Sequence, residues 1–534
     1  MFRWAKPRLD RMQATLFSPT LDAMISQDHP VRLFEEMLRE LLDWSAWESH
    51  YVLVAGQPPI HPRVMAGAIL YGLSKGIRSS RQLEDACVNR LDFMWLTEGR
   101  RIDHSTFAGF RTRFADELKS LFKQLNRSAM TMGMILLAQT GLDGTKIRAN
   151  SSRHGTASGE TLAARLAALD DEVEELMSHW ATADGVEDGL YGAEVTPNRL
   201  PRKLADLKRR QARLGKALEA AGRKSAGAEE GKSASGKQTK KKKIKVPVAD
   251  PESTVHPNKE GGYAPNYTPE ALVDGAKGLI VGTDVLADPA EGDVVVPMVD
   301  ELEKSLGQKP KQLLADGAYG SGENLSALAS REVDALIPVS RTAEPLSPEE
   351  NPAVRADLSS PVPSAEWAKL PRNRQSKKLD RSAFVYDGAA DCYWCPMGHR
   401  LGFIGIQNKQ RSGGSGGGIY RRYRCDACKT CPRSETCVAS KTGVRTIYRE
   451  QYEPLREAME SRLGSKEGQE SYRRRSWIAE TPFAVIKTVM GVRQFLLRGL
   501  SKVKTEWLWI CTAYNLNKMV RKVAALRAKF AALA

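Results

Sequence analysis

Gln139-Thr140-Gly141-Leu142-Asp143-Gly144-Thr145-Lys146-Ile147-Arg148-Ala149-Asn150 is the stretch on which the predicted fold of this 534-residue chain depends. It follows the apolar run at 134–137, and this pattern predicts a buried strand that ends in a tight turn at Asp143-Gly144. Such a strand delivers one carboxylate to the edge of a sheet. Asp-Gly is also common in ordinary hairpin turns, so the stretch alone also fits that simpler structural role.

A second stretch repeats the pattern: Lys311-Gln312-Leu313-Leu314-Ala315-Asp316-Gly317-Ala318-Tyr319-Gly320. Two strand-end aspartates suit a hard divalent cation, because Mg²⁺ prefers oxygen ligands and is usually held by one or two carboxylates plus substrate phosphates. Three more acids lie in this part of the chain, and a turn or surface position is the simpler interpretation of each: Asp250, Asp274 and Asp284.

Glu480 is the candidate for a third carboxylate. Helical spacing places Arg473, Glu480 and Lys487 on one face of a predicted helix, while Ile478 and Ile486 can point into a core. One acid framed by bases suits a phosphate backbone. The alternative is a solvated helix face with surface salt bridges.

Basic charge is concentrated in two regions. The chain has 80 Lys and Arg against 64 Asp and Glu, and residues 201–246 alone carry 16 against 4. Residues 473–504 add 8 basic residues against the single Glu480. These clusters indicate a polyanionic partner, most simply DNA, although solubility alone is an alternative. A flexible linker at 222–246 contains the consecutive Lys240, Lys241, Lys242 and Lys243, which fit either a DNA contact or a solvated tether.

Residues 30–130 are predicted to be helical. Ser79 to Glu84 has the pattern of a capped helix start, and Asp103 precedes Phe107, Phe110, Phe114 and Leu118 at amphipathic spacing. Arg111 and Arg113 are expected on the exposed face of that helix. The pattern fits a helix-turn-helix unit and, equally, a plain helical bundle.

The middle of the chain changes character twice. From about residue 158, leucines at four-three spacing predict an acidic helix and then a basic helix, which should pair as an antiparallel hairpin. From about residue 250, strand and helix patterns alternate. This alternation predicts a mixed α/β sheet covered by helices.

Six of the eight cysteines lie between residues 340 and 450, and they include two C-x-x-C pairs about 30 residues apart. Disulfides are disfavoured in a cytosolic protein, so this spacing predicts a tetrahedral structural zinc site. Six thiols exceed one four-coordinate site. Two ordinary knuckles would select Cys392, Cys395, Cys425 and Cys428.

Together these segments resemble bacterial insertion-sequence transposases of the DDE type, whose core has an RNase H-like fold. The resemblance is to the branch with a tyrosine, arginine, glutamate and lysine signature around the last acid. Glu480 and Lys487 keep the spacing of that signature. Arg473 and Ser476 occupy the positions expected for its tyrosine and arginine, which leaves Tyr472 and Arg475 as displaced counterparts.

The resemblance extends to two other parts of the chain. Residues 76–81, 93–96 and 103–106 resemble the N-terminal helical domain of the same transposases. In the cysteine-rich region, Cys-Pro-x-Gly followed by C-x2-C-x5-C resembles the family pattern, and this pattern selects Cys395, Cys428, Cys431 and Cys437 as the zinc ligands.

The resemblance implies an α/β fold: an RNase H-like mixed-sheet catalytic core with an N-terminal all-helical domain, an inserted helical hairpin and an inserted zinc-binding subdomain. The expected divisions are a helical DNA-binding domain at 1–130, core segments at 131–158, 250–339 and 451–534, the hairpin and basic linker at 159–249, and the cysteine-rich insertion at 340–450.

The resemblance also implies a function, namely metal-dependent DNA cleavage and strand transfer at the ends of an insertion sequence. Asp143, Asp316 and Glu480 are then expected to hold two Mg²⁺ or Mn²⁺ ions, with zinc as a structural ion. The expected DNA contacts are Arg111, Arg113, Lys240, Lys241, Lys242, Lys243, Arg473, Arg475, Lys487 and Arg498. The alternatives are a related nuclease without strand transfer and a non-catalytic DNA-binding regulator.

The expected partners are the terminal inverted repeats and target DNA, with a homodimer assembled on the DNA. Nothing at the N terminus resembles a signal peptide, and no apolar run reaches membrane-spanning length. A cytoplasmic, nucleoid-associated protein without a membrane partner is therefore expected.

Overall fold

The computed structural model describes residues 20–51, 58–191, 202–230, 244–257, 262–287, 291–339, 350–373, 375–410, 417–440 and 442–533. The contacts divide the chain into two compact units. The first contains the residues through Ala129 and those from Leu508, and the second contains Met130–Trp507. The predicted boundaries kept 451–534 in one core segment, so the assignment of the last residues differs from that prediction.

The first unit is helical, as expected. Its helices before Ala129 are α1 (Pro30–Glu40), α2 (Ser45–Glu48), α3 (Pro62–Ser74), α4 (Ser80–Asn89), α5 (Leu91–Leu96), α6 (His104–Arg113) and α7 (Ala115–Thr131). Ser79 and Gln82 form a capping box at α4, and Asp103 caps α6. These caps confirm the helix starts that the sequence predicted. The helix expected through Leu118 instead ends at Arg113, and α7 begins at Ala115.

An aromatic cluster explains why the C-terminal residues belong to the first unit. The Trp47 ring lies 5.4 Å from that of Phe110 and 5.2 Å from that of Phe114. Trp509 adds a ring 6.2 Å from Trp47, and its indole N–H donates to the Arg111 carbonyl oxygen at 3.2 Å. Burial of large aromatic surfaces is a strong stabilising contribution, and it outweighs proximity in the sequence.

The second unit is built around a seven-stranded sheet. Its elements before the cysteine-rich region are β1 (Gln139–Gly144), β2 (Ile147–Arg148), β3 (Thr156–Ser158), α8 (Gly159–Tyr191), α9 (Arg202–Glu230), β4 (Lys245–Pro247), β5 (Thr254–Pro257), β6 (Tyr263–Asp274), β7 (Ile280–Leu286), α10 (Val295–Leu306), β8 (Gln312–Ala315), α11 (Gly322–Ser330) and β9 (Asp334–Leu336). The strands β7, β6, β1, β8 and β9 lie side by side in that order. β1, β8 and β9 are parallel to one another, while β6 is antiparallel to both β1 and β7.

The register of β6 corrects the expected turn at Asp143-Gly144. Gly144 pairs with Glu270, and Ile147 pairs with Tyr267 further along the same strand. β2 therefore continues the path of β1 beside β6 instead of folding back on it, so the predicted tight turn is wrong. Long-range pairing with one long strand has overridden the local preference of Asp-Gly for a turn.

The two long helices predicted from leucine spacing are present as α8 and α9, and they pack on each other. Gln211 donates to the Asp170 carboxylate across the pair at 2.5 Å. A small separate core at one end joins the helices to the β3–β4 ribbon, and it contains Ala157, Leu162, Ala217, Ala220, Ala221 and Val246.

The cysteine-rich region forms a second sheet, which the sequence analysis did not predict. Five antiparallel strands follow one another in order: β10 (Val385–Asp387), β11 (Cys392–Trp394), β12 (Arg400–Gln410), β13 (Gly417–Cys425) and β14 (Arg445–Glu450), with the short α12 (Ser434–Cys437) before the last strand. This sheet has its own core, which includes Trp367, Phe384, Tyr393, Tyr423 and Ile447. Glycine and arginine dominate β12 and β13, so these strands lack the apolar alternation by which strands are recognised.

Three helices complete the chain: α13 (Glu453–Gly464), α14 (Lys466–Thr488) and α15 (Leu500–Leu533). α14 contacts β1, β6 and β8 and buries Ile478, Ala479 and Ile486. The first residues of α15 belong to the second unit, where the Trp507 indole N–H donates to the Glu270 carbonyl oxygen at 3.2 Å. In the described ranges, no helix combines the length and apolarity needed to cross a membrane.

Candidate functional site

Asp143 and Asp316 lie at the same end of two neighbouring strands. β1 and β8 are parallel, and their last pair is Leu142 with Ala315. Asp143 and Asp316 are the residues that directly follow this pair. Asp316 also accepts the Ala318 N–H at 2.5 Å and thereby caps a 3-10 turn at Gly317–Tyr319. The structure therefore brings the two predicted acids together at one edge of the sheet.

Glu480 reaches the same edge because α14 packs closely on β1. A Cβ atom on Gly141 would lie 3.0 Å from Ile478 Cγ2 and 3.1 Å from Ala479 Cβ. A side chain at this position would require α14 to give by a few tenths of an ångström, so the glycine favours the close approach of the helix to the strand. The contact lies immediately before Glu480, whose side chain is 55% exposed.

Arg475 lies between two of the acids. Its Nη1 atom is 3.7 Å from Asp143 Oδ1, and its Nη2 atom is 3.7 Å from Glu480 Oε1. Its guanidinium also lies 5.9 Å from the ring centre of Tyr472. The exposed Arg473, which the helical spacing placed beside Glu480, does not make this contact. The basic residue next to the acids is therefore Arg475.

The acids crowd one another electrostatically. Burial raises the pKa of Asp143, and the nearby Glu480 and Asp316 carboxylates raise it further. Arg475 and the Gly144 N–H oppose this shift by stabilising the ionised form. Carboxylates that raise the pKa of a neighbouring carboxyl group in this way favour the binding of a cation near them.

Lys487 is bonded to the chain close to Asp143. Its ammonium donates to Thr145 Oγ1 at 2.5 Å and to the Lys146 carbonyl oxygen at 3.2 Å. These bonds hold the two residues that lie between the end of β1 and the start of β2. Its predicted role was a DNA contact, and the structure shows that its ammonium is engaged with the chain itself.

Glu270 is a residue that the sequence analysis missed. It is fully buried on β6, and it accepts the Tyr319 O–H at 2.6 Å. A Cβ atom on Gly144 would lie 2.3 Å from Glu270 Oε1, so a side chain at this position would displace the Glu270 carboxylate. Glu270 thus links the end of β1 to the turn after Asp316. The sequence did contain a signal for this residue, namely an acid inside a strand that is otherwise apolar there. A buried acid requires a polar partner, so it indicates a polar network.

The other three acids of the core have separate roles. Asp250 accepts the Tyr267 O–H at 2.8 Å, and Asp274 accepts the Leu137 N–H at 2.8 Å. Both are buried, so the surface interpretation is wrong for them, but each begins a turn, which agrees with the other interpretation. Asp284 pairs with Lys504 at 2.6 Å.

The expected DNA contacts are dispersed. Arg111 is half-buried and donates to the Arg78 carbonyl oxygen at 2.5 Å, so its predicted exposure is wrong. Arg113 is exposed, with its guanidinium 5.2 Å from the ring centre of Phe114. Arg498 is exposed but donates to the Asn150 carbonyl oxygen at 2.9 Å. The four consecutive lysines, Lys240 to Lys243, lie outside the described residues.

A compact group of metal-ligating side chains lies in the first unit. Ligand atoms of Glu84, Asp103 and His104 are all within 4.8 Å of one another. His104 Nδ1 is 2.9 Å from Glu84 Oε2, and Asp103 caps α6. An ion pair and a helix cap account for this arrangement.

Five of the clustered cysteines share one small cavity. Cys395, Cys425, Cys428, Cys431 and Cys437 line a space of about 20 Å³ together with His399, and no disulfide joins them. Cys392 is buried on β11 and is not among the lining residues. The cavity therefore contains all four cysteines that the family pattern selects, and it excludes one of those that the two-knuckle alternative requires.

The chemistry of these thiols fits a metal. The His399 N–H donates to Cys395 Sγ at 3.3 Å, and such a bond favours the thiolate form. Burial raises the pKa of Cys395, and it raises that of Cys437 to about 12. These two thiols stay protonated on their own, whereas a hydrogen bond with Cys425 lowers the pKa of Cys428 to about 6. A bound divalent cation favours the thiolate form of each ligand.

Comparison with protein families gives two matches. A family model described as "Transposase DDE domain" matches residues 394–520, and one described as "Transposase domain" matches residues 19–113. The first range includes Glu480 and most of the clustered cysteines, and the second includes helices α1 to α6. Comparisons with curated proteins and with solved structures give no match.

Proposed function

We propose that this chain, which belongs to the DDE transposases of insertion sequences, cleaves DNA at the ends of its own element and joins the freed strand to target DNA. The observation that carries the proposal is the convergence of Asp143, Asp316 and Glu480 at one edge of the central sheet. The strand order β7-β6-β1-β8-β9, with three parallel strands on one side, supports an RNase H-like core.

The three carboxylates fit hard divalent cations, because they supply oxygen ligands: Asp143 and Asp316 are half-buried, and Glu480 is exposed. We assign to them two Mg²⁺ or Mn²⁺ ions. Such ions, when bound, activate an attacking oxygen and stabilise the oxygen that leaves.

The chain's own residues keep the acids in place. Arg475 holds Asp143 and Glu480 near each other before the ions bind, since its two nitrogens are equally distant from the two carboxylates. Lys487 fixes the chain after Asp143, and Glu270 fixes the turn after Asp316 through Tyr319. Positions held by packing and hydrogen bonds reduce the reorganisation that the reaction requires.

Two displacements at phosphorus make up the proposed reaction. In the first, a water oxygen bonds to the phosphorus at the element end, and the 3′ oxygen leaves and takes up a proton. In the second, that 3′ hydroxyl loses its proton and bonds to a target phosphorus, and the target's own 3′ oxygen leaves. Both steps exchange one P–O bond for another, so neither requires an oxidant or a reductant.

We assign a structural zinc ion to Cys395, Cys428, Cys431 and Cys437, which line the small cavity of the second sheet. Cys425 lines the same cavity and is the remaining candidate ligand. Four thiolates around zinc leave no position for water, so this ion would have no catalytic role. We also assign a homodimer on DNA, because two element ends must be processed together.

The test is single-turnover cleavage of a labelled duplex that carries the inverted repeat flanking the gene, in the presence of Mg²⁺. Asp143→Asn, Asp316→Asn and Glu480→Gln should each slow cleavage by about 10³-fold or more, because the ions lose a charged ligand. DNA affinity should stay nearly unchanged. Glu470→Gln removes an exposed acid from the same helix and should cleave normally.

The products distinguish the alternatives. Cleavage without joining to target DNA would identify a nuclease, and binding without cleavage would identify a regulator. Near-normal cleavage by any of the three variants would remove that residue from the site.

A further inference from the structure

The strand pairing of the second sheet assigns each side chain to one of two faces, because residues that pair directly across neighbouring strands lie on the same face. One face packs into the core of the sheet. It carries buried side chains from four strands: Tyr393, Leu401, Tyr423 and Ile447. The opposite face, which we call the outer face, carries the residues that alternate with these. Among the described elements, the strong contacts of β12 and β13 are with neighbouring strands, and no described helix packs closely on either.

Three arginines lie on the outer face. Arg424 pairs with Gly402, and Arg400 lies two residues before Gly402 on β12. Arg422 pairs with Gly405, which shares this face because a bulge in β12 shifts the register by one residue. The Cα atoms of Arg422 and Arg424 are about 7 Å apart, since a strand rises about 3.4 Å per residue.

The arginines keep N–H groups available for a ligand. The Nε atom of Arg422 is buried and has no hydrogen-bond partner in the part of the chain that the structure describes. Arg424 donates through Nε to Asp426 at 2.9 Å, and its side chain stays 44% exposed. Arg400 is exposed and donates to the Ala390 carbonyl oxygen at 3.2 Å. A guanidinium has five N–H groups, so one internal bond leaves others free to bind an anion.

The sheet as a whole is basic. Its five strands contain seven Lys and Arg against two Asp and Glu, a net charge of 7 − 2 = +5. Both acids lie on the outer face and are engaged. Glu450 is buried and pairs with Arg456 at 3.1 Å, and Asp387 accepts the Ala389 N–H at 3.0 Å. The face therefore complements a polyanion.

Gly402 leaves the backbone of β12 open between these arginines. A Cβ atom there would meet no described neighbour within 4 Å, and Gly402 is not among the glycines with a positive φ. Neither crowding among the described residues nor backbone conformation therefore requires glycine at this position. A glycine inside a strand weakens the sheet, and it often marks a place where a ligand approaches the backbone closely.

We propose that the outer face binds the sugar-phosphate backbone of one strand of the element-end DNA, with phosphates on Arg400, Arg422 and Arg424 and the backbone lying over Gly402. The separation of the two β13 arginines is close to the distance between successive phosphates of one strand. The planar guanidinium matches the geometry of a phosphate. Phosphate contacts add affinity without sequence preference. The inference rests on the proposed function, because it takes DNA as the partner.

The first experiment removes charge from the outer face of the zinc-loaded 534-residue chain. Arg422→Gln combined with Arg424→Gln should weaken binding about 10-fold or more at about 0.1 M salt, and the salt slope should fall by about 0.9 for each lost phosphate contact. Labelled element-end and scrambled duplexes, titrated at several salt concentrations, should lose affinity equally. The matched control combines Lys369→Gln with Lys377→Gln, two exposed lysines of the cysteine-rich region outside the strands. It should stay within about threefold of the wild type.

The second experiment fills the open space without changing charge. Gly402→Val introduces a β-branched residue that suits a strand, so its midpoint of urea unfolding should not fall. It should bind both duplexes several-fold more weakly, because the side chain occupies the path of the DNA backbone. Asn408→Val adds the same side chain at an exposed position of β12 on the opposite face, and it should bind like the wild type.

Zinc content and circular dichroism verify that each variant folds, and the two valine variants decide alone if the arginine variant loses zinc. The inference fails if the wild type binds and cleaves the duplex while the arginine variant matches the lysine control, or while Gly402→Val binds like Asn408→Val. It also fails if the arginine variant loses its preference for element ends, since the face would then read bases. A wild type that binds no duplex at all would overturn the proposed function as well.

Discussion

The two candidate metal sites of the second unit are assembled in different ways. The acids come from three distant segments, and their approach depends on the pairing of β1 with β8 and on the packing of α14 against Gly141. The clustered cysteines all lie within residues 392–437, in turns and short elements of one small sheet. The first arrangement is a product of the folded core, whereas the second can be recognised from spacing along the chain.

The difference has an energetic side. The central sheet buries apolar strands on a helix-covered core, so its geometry does not need an ion. The second sheet has a much smaller core, and the cysteine cavity lies inside it. In a small domain, a structural metal supplies stabilisation that apolar burial does not. Three experiments test this contrast between the two sheets.

The largest expected effect follows removal of the zinc ligands. Changing Cys395, Cys428, Cys431 and Cys437 to serine should abolish zinc binding and unfold the second sheet, because a structural zinc ion contributes several kcal/mol of folding free energy. Elemental analysis should find one zinc per wild-type chain, and limited proteolysis should then cut the variant within residues 385–450.

Cys392→Ser is the matched control, because that thiol is buried outside the cavity. It should keep one zinc per chain. A wild type without zinc would refute the structural-metal assignment, and loss of zinc from the Cys392 variant would favour the two-knuckle ligand set.

An intermediate effect is expected at Gly141. Gly141→Ala places a methyl group about 3 Å from Ile478 and Ala479, so α14 must shift, and overpacking of this kind costs about 1–3 kcal/mol. Displacement of Glu480 should also slow cleavage by about 10²-fold. Chemical denaturation and single-turnover cleavage measure the two effects.

Gly215→Ala provides the comparison, because its Cβ atom would meet no neighbour within 4 Å on α9. That change should be neutral or stabilise the chain by up to about 1 kcal/mol, since alanine favours the helix. Equal behaviour of the two variants would show that the acid site does not depend on this close approach.

The smallest effect concerns Glu460. It lines a cavity of about 830 Å³ together with residues next to the central sheet, such as Gly317, and residues of the second sheet, such as Tyr393. Burial raises its pKa to about 7, and the Glu453 carboxylate adds to the shift. A carboxyl group with a raised pKa in the folded state favours folding while protonated. This contribution is complete below the unfolded pKa of 4.5 and is lost as the pH rises through about 7.

Glu460→Gln should therefore raise the free energy of unfolding near pH 8 by about 1–2 kcal/mol, a value reduced for partial solvent access. It should leave stability at pH 4 nearly unchanged. Urea denaturation across this pH range measures the effect, with Glu470→Gln as the exposed control. A variant whose stability follows the wild-type pH dependence would show that Glu460 is solvated like an ordinary surface glutamate.

Several features of this protein followed from the sequence by itself. The capped helix starts at Ser79 and Asp103 depend on side chains that bond to backbone a few residues away, and the leucine spacing of α8 and α9 reflects one helix period. The identification as an insertion-sequence DDE transposase also followed from local motifs. Local rules operate over a few residues, so a single sequence displays them directly.

The tertiary structure decided which polar groups meet. It replaced the expected turn at Asp143-Gly144 with a strand that continues along β6, and it placed Arg475 instead of Arg473 beside the acids. It also buried Glu270 beneath Gly144 and turned Arg111 onto the Arg78 backbone. Each of these outcomes depends on partners that lie far apart along the chain or on the exact rotation of a packed helix. Local propensities differ by only about 1 kcal/mol, so the larger free energy of long-range burial and pairing overrides them.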